Sequence, residues 1–431
     1  GGLLVLVAPA PSDAGINLRT GFLLTTVVWL AAAAFAGLPF IGVGLNYTDA
    51  YFEAMSGLTT TGSTVLVHLD GLPRGILLWR SLLQMVGGIG IIVTAILLLP
   101  FLRIGGMQLF ATESSDRSEK LMPRAIETSL TIVGIYAFLI AACAVSFLLL
   151  GMTLFDAVCH AFTTVSTGGF STHDTSFGFF TSSALQWVCI LFMVLGSLPF
   201  TVLYRCRHFN LAPLLRDSQS RAYFALLISA TAVVFFHLEA AGATTPEEAL
   251  RKAAFNIVSI VSTTGFVTED YTKWGAFAVG VFLLLTFIGG CSGSTAGCIK
   301  IYRLQIAGLL SRAHLIHLIS PNRISRLTYA GRRIDQDVAF SVIAFLFAYM
   351  TTALVFSVAL SATGLDVLSA FSASVQAIAS VGPGLGDIVG PADNFSTLPD
   401  LAKWLLSFEM LLGRLELFTI LVLFAPPFWR W

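Results

Sequence analysis

The chain has 431 residues, 24 basic and 24 acidic side chains, 56% hydrophobic residues and only 11% charged ones. Soluble domains hold roughly half apolar and a quarter charged residues, so this composition, with a mean hydropathy of +0.84, excludes a water-soluble globule. The net charge of zero decides nothing by itself, because a membrane chain is oriented by where Lys and Arg lie relative to its spans.

Gly1–Ala8 is apolar but too short to span, and residues 1–17 read as the remnant of a longer N-terminal region. Eight apolar blocks follow: Gly21–Ile41, Ile76–Leu102, Ser129–Leu150, Ala184–Leu203, Ala222–Leu238, Trp274–Phe287, Val338–Leu360 and Leu401–Phe428. Most reach the ~20 residues that cross a ~30 Å hydrocarbon core, and the block at Trp274 does so only with its glycine-rich continuation. Eight spans are expected. The links Phe101–Glu127, Tyr204–Arg221 and Lys300–Asp337 carry 4, 4 and 7 of the 24 basic residues and are therefore expected on the cytoplasmic side.

Between spans one motif recurs four times: DAYFEAMSGLTTTGS from Asp49, DAVCHAFTTVSTGGF from Asp156, KAAFNIVSIVSTTGF from Lys252 and SAFSASVQAIASVGP from Ser369. Aligned on Gly62, Gly169, Gly265 and Gly382, each copy has alanine twelve residues upstream (Ala50, Ala157, Ala253, Ala370) and a hydroxyl two residues upstream (Thr60, Thr167, Thr263, Ser380). An internal repeat fixes architecture before any other feature. The expected fold is an all-α polytopic membrane protein with four pseudo-fourfold helix, re-entrant pore loop, helix repeats around a central pore. Repeat 1 covers 18–102, repeat 2 128–207, repeat 3 222–310 and repeat 4 338–431, joined by cytoplasmic links at 103–127, 208–221 and 311–337.

Irregular backbone at membrane depth survives only when buried in protein or lining water. The ~11-residue helix before each glycine would reach ~16 Å into the bilayer, with its negative dipole end toward the axis, and glycine lets the following carbonyls turn inward. Such carbonyls can replace a hydration shell. The expected ion ligands are Thr60, Thr61, Gly62, Thr167, Gly168, Gly169, Thr263, Thr264, Gly265, Ser380, Val381 and Gly382. No carboxylate stands at that level, which points to a monovalent cation.

Other patterns carry less. Gly87-Gly88-Ile89-Gly90 follows no strand and reads as close helix packing rather than nucleotide binding. The six cysteines form no CxxC pair and read as small packed residues, and His160 reads as a packing or capping residue of its helix. Thr245-Pro246-Glu247-Glu248 is a helix start.

The sequence resembles the Trk/Ktr/HKT superfamily of potassium transport proteins over nearly its whole length. The resemblance rests on SGLTTTGST (Ser56–Thr64), GGFSTHD (Gly168–Asp174), VSTTGF (Val261–Phe266), SVGPGLG (Ser380–Gly386), GGCSGSTAGCIK (Gly289–Lys300) and GRLELF (Gly413–Phe418). It implies potassium uptake across the bacterial inner membrane, filter glycines at Gly62, Gly169, Gly265 and Gly382, and a homodimer with one pore per protomer. It also implies a cytosolic TrkA-like nucleotide-binding ring, so that NAD or ATP/ADP would act only through that partner. K⁺ is the transported ion and no cofactor is expected in this chain; lipid is a partner and nucleic acid is not. The resemblance departs at Cys298, where relatives commonly have glycine, and in the additional N-terminal helices usual in bacterial relatives.

Residues 287–300 place a glycine-rich polar run inside the second helix of repeat 3. A regular helix there is costly, at ~1 kcal/mol per glycine. Gly289, Gly290, Ser292, Gly293, Ser294, Thr295, Gly297 and Lys300, with Arg414 opposite, are the expected gate. The alternatives are a glycine-packed helix crossing and a structural pair between Arg414 and Glu416, since intramembrane charges are usually paired or pore-facing. Two further functions compete: a cation-coupled K⁺ symporter, which the same filter would serve, and an intramembrane serine protease suggested by Gly290-Cys291-Ser292-Gly293. The protease needs a histidine near Ser292, and the histidines after it, His314 and His317, fall in the basic link. Arg323, Arg326, Arg332 and Arg333 in that link are the expected dock for the cytosolic ring.

Overall fold

The structure, a computed structural model, describes residues 18–97, 121–206, 210–242, 245–322 and 327–430. Residues 1–17 and most of the 103–127 link lie outside it, as do Arg323 and Arg326. Thirteen helices carry the described architecture: α1 (Leu18–Ala36), α2 (Tyr47–Leu58), α3 (Arg74–Leu97), α4 (Leu121–Leu149), α5 (Leu154–Val165), α6 (Ser183–Ser197), α7 (Ser218–Ala241), α8 (Pro246–Val261), α9 (Ala276–Thr286), α10 (Ile301–Ile319), α11 (Gln336–Ser361), α12 (Val367–Ala379) and α13 (Asp400–Arg414). The only described sheet pairs β1 (Thr328–Tyr329) with β2 (Arg332–Arg333).

Among the described residues, five stretches are long and apolar enough to cross a membrane: Arg19–Ile41, Arg74–Ile92, Ser129–Leu149, Ser218–Ala241 and Gln336–Ser361. Four of them overlap α1, α4, α7 and α11, whose outward faces expose Phe35, Phe138, Phe236 and Phe347 respectively. Such faces are at home in lipid.

The eight apolar blocks do not become eight unbroken helices. Ala184–Leu203 breaks after Ser197, where Pro199 supplies no N–H and keeps Leu198 extended, and a short helix resumes at Phe200–Arg205. Leu401–Phe428 breaks after Arg414, with Glu416 at φ 63° and Leu417 at φ 38°. Together with the run between Thr286 and Ile301, three of the four second helices are interrupted and only α3 is continuous. The 311–337 link is also not wholly loop, since α10 extends into it to Ile319 and the β1–β2 hairpin lies within it.

The four short helices α2, α5, α8 and α12 start alike. Asn46, Thr153, Thr245 and Asp366 are the N-caps, and each side chain accepts a hydrogen bond from the backbone N–H three residues on, at Asp49, Asp156, Glu248 and Ser369. The start at Thr245 falls where the sequence puts it. α8 begins four residues earlier relative to its glycine than the other three, one added turn. Ala50, Ala157, Ala253 and Ala370 are all fully buried.

Packing closes these units into a circle. Each short helix touches the first and second helices of its own unit and the second helix of the preceding one: α2 packs on α13, α5 on α3, α8 on α6 and α12 on α9. Lys403 of α13 pairs with Asp49 of α2 at 2.5 Å across the junction of the last unit with the first. Glycine permits the closest approaches. A Cβ on Gly87 would fall 1.9 Å from Leu58 O, and one on Gly413 2.0 Å from Ile378 O. The first glycine of the GGIG run is thus a packing residue.

Candidate functional site

At the inner end of each short helix the chain makes the same turn. Thr60, Thr167, Thr263 and Ser380 all have left-handed backbone, at φ 54°, 53°, 58° and 56°, which ends the helix. Two residues later Gly62, Gly169, Gly265 and Gly382 have φ 88°, 77°, 78° and 104°. Non-glycine residues adopt this conformation at a cost of about 1–3 kcal/mol and persist there only where the surroundings dictate it.

The surroundings are the other three copies. A Cβ on Gly62 would lie 2.2 Å from Gly168 O, on Gly169 1.9 Å from Thr264 O, on Gly265 1.9 Å from Val381 O, and on Gly382 2.8 Å from Thr61 O. Each glycine therefore faces the carbonyl of the residue just before the next copy's glycine, and the fourth returns to the first. The twelve residues Thr60–Gly62, Thr167–Gly169, Thr263–Gly265 and Ser380–Gly382 form one closed ring. The side-chain oxygens of Thr60 and Ser380 are buried and have no hydrogen-bond partner among the described atoms.

Behind the ring each strand is tied back to its own short helix. Glu53, His160 and Asn256 stand nine residues before their glycines. Glu53 accepts from Thr64 Oγ1 at 3.0 Å and Val65 N at 2.9 Å. His160 Nε2 lies 3.0 Å from Ser171 Oγ and its Nδ1 2.9 Å from Asp156 O, while Asn256 donates to Thr268 Oγ1 at 2.8 Å. In the fourth copy Ser372 does this one residue earlier, donating to Leu385 O at 2.7 Å and accepting from Leu385 N at 2.9 Å. Arg80 completes the first tie: its Nε is 2.7 Å from Glu53, and its guanidinium donates to Ser171 O at 3.1 Å and to Thr64 Oγ1 at 3.0 Å. Sequence reasoning missed this set except for His160, although the shared offset was readable. Above the ring the chain leaves a mouth lined in part by Ser63, Phe170, Val267, Pro383, Asp174 and Asp393.

Immediately beneath lies the non-helical run between α9 and α10. Thr295 Oγ1 donates to Val165 O at 3.1 Å and Gly196 O at 2.9 Å, and Gly297 N donates to Thr263 Oγ1 at 2.8 Å. A Cβ on Gly297 would lie 2.4 Å from Ala379 O. Arg414 Nη1 donates to Thr295 O at 2.9 Å and Nη2 to Gly87 O at 3.3 Å. The run therefore touches the second, third and fourth copies directly and, through Arg414, α3 of the first unit. Gly289 N bonds Ile299 O at 3.0 Å at the neck, Cys291 N bonds Ser197 O at 3.0 Å, and Ser292 N bonds Gln219 Oε1 at 2.9 Å. Ile301 N bonds Gly290 O at 3.3 Å, Phe200 N bonds Gly293 O at 3.0 Å and Ser294 Oγ donates to Cys291 O at 2.6 Å. Lys300, buried, folds back onto Ala296 O.

Cys298, at φ 64°, donates through Sγ to Thr286 O at 3.1 Å. Below the run is a cavity lined by Ile92, Ile132, Phe345, Tyr349, Arg414 and Glu416 among others. Arg414 and Glu416 do not pair with each other. Glu416 pairs with Arg303 of α10, whose guanidinium also lies 3.7 Å over the Phe345 ring. The break after Arg414 turns the two charges onto different partners. His314 lies about 20 Å along α10 from its start at 1.5 Å per residue, well outside the hydrogen-bond reach of Ser292 that a serine protease's base must have.

Known proteins share this fold and sequence. Residues 6–430 match the TrkH family, described as cation transport protein. The chain is 44% identical over 412 residues to the Trk system potassium uptake protein TrkI of Halomonas elongata, covering 95% of this chain and 84% of that one. It is 39% identical over 427 residues to the Trk system potassium uptake protein TrkH of Escherichia coli, covering 96% and 86%. The crystal structure of the potassium transporter TrkH from Vibrio parahaemolyticus superposes with a TM-score of 0.89 at 37% identity, over 98% of this chain and 88% of that one.

Proposed function

The chain belongs to the TrkH cation transport family, and from that premise we propose how its ring and loop carry out potassium uptake. It is a multi-pass, all-helical membrane protein and a non-enzymatic subunit of a bacterial Trk potassium uptake system. The four units are pore repeats at 18–102, 128–207, 222–310 and 338–431, arranged with pseudo-fourfold symmetry around a conduction path. The ring residues Thr60–Gly62, Thr167–Gly169, Thr263–Gly265 and Ser380–Gly382 are the selectivity filter, in which backbone carbonyls replace the hydration shell of K⁺. One observation carries this reading: the cyclic contact of each glycine with the next repeat's carbonyl. The buried, unpartnered hydroxyls of Thr60 and Ser380 supply further oxygen at the same level, where leaving them unsatisfied costs free energy.

The run at 287–300 is the gate, and Arg414 is its latch. With the loop down, the path from the filter to the lower cavity is closed by backbone and by the positive charge of Arg414, which low dielectric makes a strong barrier to a cation. Opening requires the loop to give up its bonds to Thr263, Val165 and Arg414. As a Trk component the chain works with other Trk subunits. The specific assembly we infer is a homodimer over a cytosolic TrkA-like ring that senses NAD or ATP/ADP and docks on basic link residues, of which Arg332 and Arg333 lie in the described β2 strand.

Transport is driven by the electrochemical gradient of K⁺. Purified protein in liposomes tests this: K⁺ flux should follow the K⁺ gradient with no pH or Na⁺ gradient present. Flux that appears only under an imposed H⁺ or Na⁺ gradient would replace the pore with a coupled symporter.

A further inference from the structure

The filter reading leaves one irregularity, in the residue before each ring glycine. Repeats 1, 3 and 4 have Thr61, Thr264 and Val381 there, whereas repeat 2 has Gly168. The backbone does not require it, because Gly168 is not among the residues with positive φ. Space does. A Cβ on Gly168 would fall 2.4 Å from Cδ, 2.5 Å from Oε1 and 2.8 Å from Nε2 of Gln84.

Gln84 is a fully buried residue of α3, the second helix of repeat 1. Its amide fills the volume that a side chain of residue 168 would take. Nε2 donates to Gly168 O at 2.6 Å and Oε1 accepts from Phe170 N at 3.0 Å, so the two bonds bracket Gly169. In repeats 1 and 3 the strand is fixed from within. Thr61 Oγ1 lies 2.8 Å from Thr59 Oγ1, and Thr264 Oγ1 lies 2.7 Å from Ser262 Oγ. In repeat 2 the matching hydroxyl, Ser166, turns back to Thr163 O at 3.4 Å instead.

We propose that Gln84 is a specificity-determining positioning residue that repeat 1 lends to the filter strand of repeat 2. Its amide replaces the missing side chain of residue 168 and sets the direction of the Gly168 carbonyl. That carbonyl is the one packed against Gly62, so Gln84 governs the ligand spacing at the seam between repeats 1 and 2. The inference rests on the filter reading, and the same assay separates the two: wild-type protein without any K⁺ over Na⁺ preference defeats the filter itself, whatever Gln84 does.

The experiment compares K⁺ and Na⁺ flux in liposomes for Gln84→Ala, Gln84→Glu, Gly168→Thr and the double variant Gln84→Ala/Gly168→Thr. Losing two buried hydrogen bonds should lower the K⁺/Na⁺ flux ratio roughly tenfold in Gln84→Ala. Gln84→Glu, equal in volume but unable to donate to Gly168 O in its ionised form, should fall as well. Gly168→Thr should be worse, since its Cβ overlaps the amide. The double variant restores a side chain at the position Thr61 and Thr264 occupy, and its ratio should return to within about threefold of wild type, because the two sites are coupled. An unchanged ratio in inserted Gln84→Ala overturns the proposal, as does a double variant no better than Gln84→Ala alone. Should Gly168→Thr fail to insert, insertion and recovered selectivity of the double variant against Gln84→Ala still decide it.

Discussion

Two stretches of irregular backbone lie one above the other in this molecule, and they are held in opposite ways. In the glycine ring every strand abuts a neighbouring repeat, glycine against carbonyl at all four seams, and is tied to its own pore helix from behind. The loop at 287–300 occurs once and hangs on separate bonds, chiefly those of Arg414, Thr295 and Gly297. A ring whose members brace one another cannot shift one member alone. A loop on discrete anchors opens when an anchor is lost, which is the property expected of the low-stability elements that move in function. The difference supports the proposal that the ring discriminates between ions and the loop gates.

The largest effect should come from breaking the ring. Substituting Ser at a filter glycine adds a Cβ to a left-handed residue and forces it against a carbonyl, and strain of about 1–3 kcal/mol corresponds to roughly a 5- to 150-fold loss of K⁺/Na⁺ selectivity. The seams grade the outcome. Gly169→Ser and Gly265→Ser, where the Cβ would sit 1.9 Å from a carbonyl oxygen, should be hit hardest, Gly62→Ser at 2.2 Å nearly as hard, and Gly382→Ser at 2.8 Å least. Bi-ionic flux measurements on the four variants check the order.

Releasing the latch comes next. Arg414→Ala removes both anchors of the guanidinium and its positive charge, and deletion of Gly293–Gly297 removes the loop itself. Each should raise K⁺ flux severalfold without changing the K⁺/Na⁺ ratio. Since both act through one contact, combining them should add little. Wild-type flux in both, with protein inserted, would leave the loop without a gating role.

A smaller effect should follow at Cys298. Its left-handed backbone and its bond to Thr286 O hold the end of the loop against α9. Cys298→Gly gives up that bond and relieves the backbone, so hydrogen exchange across 289–298 should quicken while flux changes by less than about twofold.

The smallest concerns the mouth. Burial, with Asp270 and Asp387 nearby, holds the Asp393 carboxyl above its usual range, Lys273 offsetting part of the rise. As pH falls, Asp393 is neutralised before an ordinary aspartate, and a negative charge that concentrates cations at the mouth is lost. Uptake at low external K⁺ and low ionic strength should therefore begin to decline at a higher pH than an ordinary aspartate would set, and Asp393→Asn should flatten that decline. Added salt should mask the difference.

How far the sequence could be read follows the same division. The ring was legible because it is repeated: four glycines in register carry the same information four times, and the run at 287–300 announced itself by four glycines in an apolar block. Residues acting across repeats were not legible. Gln84 completes a strand that begins 83 residues further along the chain, at Thr167, and only the packing of α3 on α5 brings them together. The pairing of Glu416 with Arg303 was hidden because the break after Arg414 lies at Glu416 and Leu417, where no glycine or proline marks it. The break in Ala184–Leu203 did have a signal in Pro199, which the unbroken hydropathy outweighed.

The central claim is that four glycines from one chain make a single selective ring. The most direct measurement is the K⁺/Na⁺ permeability ratio of purified protein in liposomes for Gly62→Ser and Gly265→Ser, at opposite positions of the ring, beside wild type. A wild type that prefers K⁺ and a loss of that preference in both variants is the predicted result; a K⁺-selective wild type with unchanged ratios in both would contradict it.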